Sequence, residues 1–149
     1  MAIDYDPKKA HEYYEKHKKL KGRKRVTHST KGWSQRKKEQ WAYAKEQLKQ
    51  EHSEIGKGIT ASSKSRRAAL SAAAKEKIAA IRERIKNLPK DQKKAAREQI
   101  KGVIEDIRGK LKSDKTALTA ETKGKREKEK EDYAKRKDVA YQHIKGGGK

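Results

Sequence analysis

Cysteine and phenylalanine are absent from this chain, proline occurs twice, and aromatic side chains make up 5% of its 149 residues. Without cysteine there is no disulfide framework, no thiolate metal site and no cysteine nucleophile. The shortage of large apolar side chains argues against a bulky core. Only 31% of residues are hydrophobic, and much of that share is alanine, which buries little area. No stretch approaches the ~20 consecutive apolar residues that a membrane-spanning helix requires. The opening Met1-Ala2-Ile3-Asp4-Tyr5-Asp6 lacks the basic then apolar pattern of a secretory signal. The expectation is a soluble protein with no membrane partner, not exported by that route.

The most informative absence is that of acids. Between Lys16 and Lys38 there are eleven lysines and arginines and no aspartate or glutamate. Elsewhere the acids are interspersed with bases, which an ordinary charged helix face explains, but this segment has no internal partner for its charge. The formal net charge of +22 and the pI near 10.1 extend the asymmetry to the whole chain. Such a surplus attracts polyanions and resists compaction through self-repulsion. With charged residues at 43%, the composition lies between disorder and long solvent-laced helices, and periodicity decides between them.

Four segments follow from the pattern. Residues 1–33 read as a short helix plus a basic arm. Asp6 is a suitable cap, Pro7 suits the first helical position and Gly22 the stop. The run from Gly22 to Gly32 has no period and carries turn formers. Residues 34–88 read as a long helix capped by Ser34, with Trp41, Ala44, Leu48, Ile55, Ile59, Leu70, Ala74, Ile78, Ile81, Ile85 and Leu88 at steps of three, four or their sums. That is a narrow stripe of coiled-coil type. A hinge or break is expected at 56–65, where Gly56 and Gly58 each cost up to ~1 kcal/mol against alanine.

Asn87-Leu88-Pro89-Lys90-Asp91 predicts a tight reversal, because proline disfavours helix at the residue before it. Residues 89–145 then form a return helix carrying Ala96, Ile100, Ile104, Ile107, Leu111 and Leu118, followed by a charged C-terminal extension. Pairs such as Glu131 with Lys135 and Asp132 with Arg136 are positioned to support that extension. Residues 146–149 are a tail. The fold class is all-α: an elongated antiparallel helical hairpin or coiled coil with a basic N-terminal helix and arm. Thin stripes on both arms point to self-association.

The candidate nucleic-acid-binding residues are Lys18, Lys19, Lys21, Arg23, Lys24, Arg25, Arg36, Lys37 and Lys38 in or beside the arm, together with Lys64, Arg66 and Arg67. In the arm, each cation that meets a phosphate releases condensed counterions, and Tyr13, Tyr14 and Trp33 can stack on bases or pack on the neighbouring helix. The second cluster sits among small residues, Thr60 to Ala69. Two readings stand side by side there: a helix face that approaches a phosphate backbone closely, and an ordinary alanine-rich helix. No base-reading motif is present, so contact with the backbone, without sequence specificity, is the expected mode.

Gly56-Lys57-Gly58-Ile59-Thr60 lacks the GxxxxGK[ST] spacing and follows no strand, so it reads as a helix interruption and not as a phosphate loop. The histidines His11, His17, His28, His52 and His143 are scattered and read as surface residues. His11 and Glu15 share a face but fall short of the three or four ligands of a zinc site. The carboxylates are dispersed among lysines on exposed faces. No metal, cofactor or catalytic constellation is expected.

The opening Tyr5-Asp6-Pro7-Lys8-Lys9-Ala10-His11-Glu12-Tyr13-Tyr14-Glu15-Lys16-His17-Lys18-Lys19-Leu20-Lys21-Gly22-Arg23 resembles the start of small lysine-rich coiled-coil proteins from the head and structural modules of tailed bacteriophages. The hairpin IRERIKNLPKDQKKAAREQIKGVIEDIRGKLK is similar to them in style only. This resemblance implies a virion or head-assembly component, located in the interior of the head or in the host cytoplasm, and brings no catalytic residues with it. The expectation is then a minor structural protein that binds packaged double-stranded DNA through its phosphates. The alternative is an assembly or scaffolding protein that binds an acidic capsid surface. A chromatin- or ribosome-associated factor with a helical spacer is a third possibility.

Overall fold

The computed structural model describes residues 28–147. They form an all-α antiparallel hairpin of two long helices, α1 (Gln35–Lys86) and α2 (Lys90–Lys145), with no strand among the described residues. The N-terminal helix expected before Gly22, and the arm as far as residue 27, lie outside the described residues.

Helix α1 starts where the sequence offers a cap. The Ser34 carbonyl accepts the Lys38 amide at 3.1 Å, and its hydroxyl accepts the Lys37 amide at 3.4 Å, satisfying donors the first turn would otherwise leave orphaned. The break expected at 56–65 does not occur: α1 runs through Gly56, Gly58 and the serines without interruption. Extending a formed helix adds one hydrogen bond per residue fixed, so two interior glycines are tolerated between long packed flanks.

The reversal falls at Asn87–Pro89. The Leu88 amide bonds the Ile85 carbonyl at 3.2 Å, and the Pro89 carbonyl accepts the Gln92 and Lys93 amides at 3.1 Å. Pro89 therefore sits one step ahead of the first helical residue, where its missing N–H costs nothing. Helix α2 continues through the charged extension to Lys145. It ends with the Gly146 amide on the Gln142 carbonyl at 2.9 Å and Gly147 at φ +89, a left-handed stop that glycine adopts without strain.

The contacts divide the chain into two compact units, Met1–Lys57 with Arg126–Lys149, and Gly58–Lys125. In the first, Trp41, Ala44 and Leu48 of α1 form one buried cluster with Ala140, Tyr141 and Ile144 of α2, with Trp33 and Tyr133 packed against it. Ile55, placed on the stripe by its spacing, is 40% exposed. His52, Gly56 and Ile59 are the half-buried residues there, so the inward face passes to one side of Ile55. In the second unit only Ala74, Ile85 and Leu118 are buried, while Leu70, Ile78, Ile81, Ile100, Ile104, Ile107 and Leu111 are half-buried. No described helix is long and apolar enough to cross a membrane.

Candidate nucleic-acid interface

The acid-free cationic run enters the described region at His28, and from there it is not a loose arm. Thr30 to Trp33 form a turn closed by the Trp33 amide on the Thr30 carbonyl at 3.1 Å, with Gly32 at φ +80 in the position where a type II turn needs glycine. The Trp33 ring stacks on Tyr141 at a centroid distance of 5.0 Å. The Tyr141 hydroxyl donates to the Ser29 carbonyl at 2.5 Å. The His28 ring lies 5.2 Å from Trp41 and 4.7 Å from Tyr141, with Nε2 2.7 Å from an Asp138 oxygen. Apolar faces meet one another while His28 Nε2 and the Tyr141 hydroxyl each find a partner, which suits such amphipathic rings to a core this small. This clasp holds residues 28–33 of the run against α2.

Of the candidates beside the clasp, Lys37 is half-buried and its ammonium donates to the Lys145 carbonyl at 3.0 Å. A cation there satisfies an orphan carbonyl and complements the negative end of α2. Arg36 is exposed but engaged within the chain, and Lys38 is exposed. Lys18, Lys19, Lys21, Arg23, Lys24 and Arg25 lie outside the described residues.

The second cluster is largely occupied. The Arg66 guanidinium donates from Nη1 to both Glu121 oxygens, at 2.8 and 2.9 Å, and Lys125 donates to the same carboxylate at 2.6 Å. The Arg66 and Lys125 bonds hold the Glu121 carboxyl down at about 2. Arg67 donates to the Thr119 hydroxyl at 2.5 Å. Within the small-residue segment, Ser63 is half-buried and accepts from the Thr122 hydroxyl at 3.0 Å. Ser63 therefore serves a polar seam between α1 and α2 while the other small side chains of the segment are exposed, and a phosphate at Arg66 would have to compete with Glu121. Lys64 is exposed and carries no ion pair among the described residues.

Sequence spacing did not reveal a buried carboxylate held by two half-buried partners. Glu129, 8% exposed, accepts from Arg136 Nη2 at 2.7 Å and lies 3.1 Å from His52 Nδ1, while Tyr133 stacks on the His52 ring at 4.5 Å. Burial pushes the Glu129 carboxyl up, but the Arg136 and His52 bonds outweigh it and hold the group below its ordinary value. The expected pairing of Asp132 with Arg136 is thus replaced by one with Glu129, two turns back, and Asp132 lies 3.6 Å from Lys135 instead. Surface placement also fails for His28 and His52, whose side chains are 14% and 33% exposed. Extending the stripe from Leu118 by eleven residues reaches Glu129, and eleven more reach Ala140. Continuing the period through the charged run would have shown that this acid faces inward.

Among the described residues no group of three or more His, Asp or Glu is placed to hold a metal ion. Comparison with known protein families, curated proteins and solved structures finds no match for this chain.

Proposed function

We propose that this chain is a non-catalytic binder of nucleic-acid backbone, a minor head-associated component of a phage-type virion that holds packaged double-stranded DNA without reading its sequence. The observation that carries the reading is the run from Lys16 to Lys38, with eleven cations and no acid. Phosphates are the partner such a run suits, since each neutralised phosphate returns a condensed counterion to solution. The aromatic clasp at His28, Ser29 and Trp33 supports the reading because it fixes the described part of the cationic run on a helical support. The virion setting rests on the resemblance of residues 5–23 alone.

The test is the salt dependence of binding to random-sequence duplex DNA. The full chain is expected to lose affinity steeply with salt. Replacing Lys18, Lys19, Lys21, Arg23, Lys24 and Arg25 by alanine should reduce the log–log slope by as much as ~5, at ~0.9 per phosphate contact. An unchanged slope overturns the proposal, and tight binding confined to another protein favours the scaffolding alternative.

A further inference from the structure

Near the turn, within Gly58–Lys125, the two helices enclose an open groove of about 670 Å³. Its apolar lining is Ile85, Ile100 and Ile104, of which Ile85 is buried and the other two half-buried. Six cations line it, Arg82, Lys86, Lys93, Arg97, Lys101 and Arg108, against two carboxylates, Glu98 and Glu105. Lys86 lies 3.1 Å from Glu83. The other five cations have no ion pair among the described residues.

The arrangement on α2 is ordered. At about 100° per residue, Lys93, Arg97, Lys101 and Arg108 fall within about 80° of the line between Ile100 and Ile104, while Glu98 and Glu105 lie beyond them. The cations thus border the isoleucines directly and the acids stand outside. From Lys93 to Arg108 the border extends about 22 Å at ~1.5 Å per residue, or about four helical turns.

We propose that this groove takes an acidic amphipathic helix from a partner protein. Apolar side chains at i, i+3, i+4 and i+7 of such a helix would cover the isoleucines, and its flanking carboxylates would meet the cations on both rims. Charge complementarity selects this occupant. A second copy of a chain carrying +22 would set cation against cation. A duplex would satisfy the rim but leave the apolar floor uncovered. The inference is independent of the nucleic-acid reading, because it uses none of the residues from Lys16 to Lys38.

The probe is a labelled helical peptide of about 18 residues, with leucine on one face and glutamate on both flanks, titrated into the full chain and followed by anisotropy. Binding is expected to survive about 0.3 M salt, where long-range attraction is largely screened. It should weaken at least tenfold when Arg97→Glu and Lys101→Glu are combined, with helix content by circular dichroism confirming that the variant is folded. A control peptide with the same glutamates but serine on its apolar face should bind at least tenfold more weakly. Equal binding of the two peptides, or binding indifferent to the charge reversal, overturns the proposal. So does a charge reversal that weakens duplex DNA while sparing the peptide. The alanine variant of residues 18–25 should leave peptide binding unchanged, so failure of either proposal is distinguishable from failure of the other.

Discussion

The unit built on Trp41 and Tyr141 and the unit that contains the turn use the same narrow stripe on the same two helices, yet they are held in different ways. The first has two tryptophans, two stacked ring pairs and a buried carboxylate with its partners drawn into a small interior. The second contains no aromatic residue between Gly58 and Lys125 and buries three aliphatic side chains. Large rings let few residues exclude much water, whereas isoleucine and alanine on a stripe this thin leave much of it half-wet. A stripe of one width therefore gives either a sealed core or an open groove, depending on side-chain volume.

The comparison breaks most visibly at its largest side chain. Trp41→Ala is expected to lower the stability of the first unit by about 3–5 kcal/mol, read from hydrogen exchange of the amides of residues 40–48 and 137–144. Leu118→Ala, the matching truncation in the second unit, should cost about 2 kcal/mol, at the low end of its class, because half-exposed neighbours can close over the gap. Equal losses would show that the two interiors are of one kind.

The buried charges set a smaller difference. Arg136→Met leaves the Glu129 carboxylate short of a donor and should cost about 1–3 kcal/mol at neutral pH. Glu129 is held below its ordinary value of 4.5 in the folded chain, so the folded state binds fewer protons than the unfolded one. Its contribution is present above that ordinary value and is lost as pH falls through the depressed folded value. Glu129→Gln should accordingly flatten the acid limb of a stability–pH curve. Glu121 follows the same sign between 4.5 and about 2. Its side chain is 40% exposed, however, so solvent screens the pair and Glu121→Gln should change that limb much less.

The smallest effect has the opposite direction. At Gly102 and Gly109 an added Cβ would meet nothing within 4 Å, so alanine at each should raise stability by up to about 1 kcal/mol. Thermal unfolding followed by backbone dichroism measures it, and a loss would reveal a close approach at those sites.

Steps of three and four placed both helices. Cap and proline chemistry placed Ser34 and Pro89, because such local rules survive into the folded state. The helix through Gly56 and Gly58 was not legible, since residue propensity weighs each glycine alone whereas an extended helix shares the cost along its length. Glu129 and Arg136 were hidden for a related reason: in KREKEKEDYAKR every residue looks solvent-facing unless the inward period is carried on from Leu118. The clasp of His28 and Ser29 onto Asp138 and Tyr141 joins residues more than a hundred positions apart, and no local rule reaches that far. The groove cations were visible as charges, but their place beside Ile100 and Ile104 required the helices to be set side by side.

Trp33 and Trp41 are the chain's two tryptophans, and no tyrosine falls between Gly58 and Lys125. Tryptophan emission from this protein therefore reports on one unit only, and the groove-bearing unit is dark to it. A melt recorded by tryptophan light would trace the clasp and its neighbours, and the loosening of the turn region would pass unseen unless a chromophore were placed there.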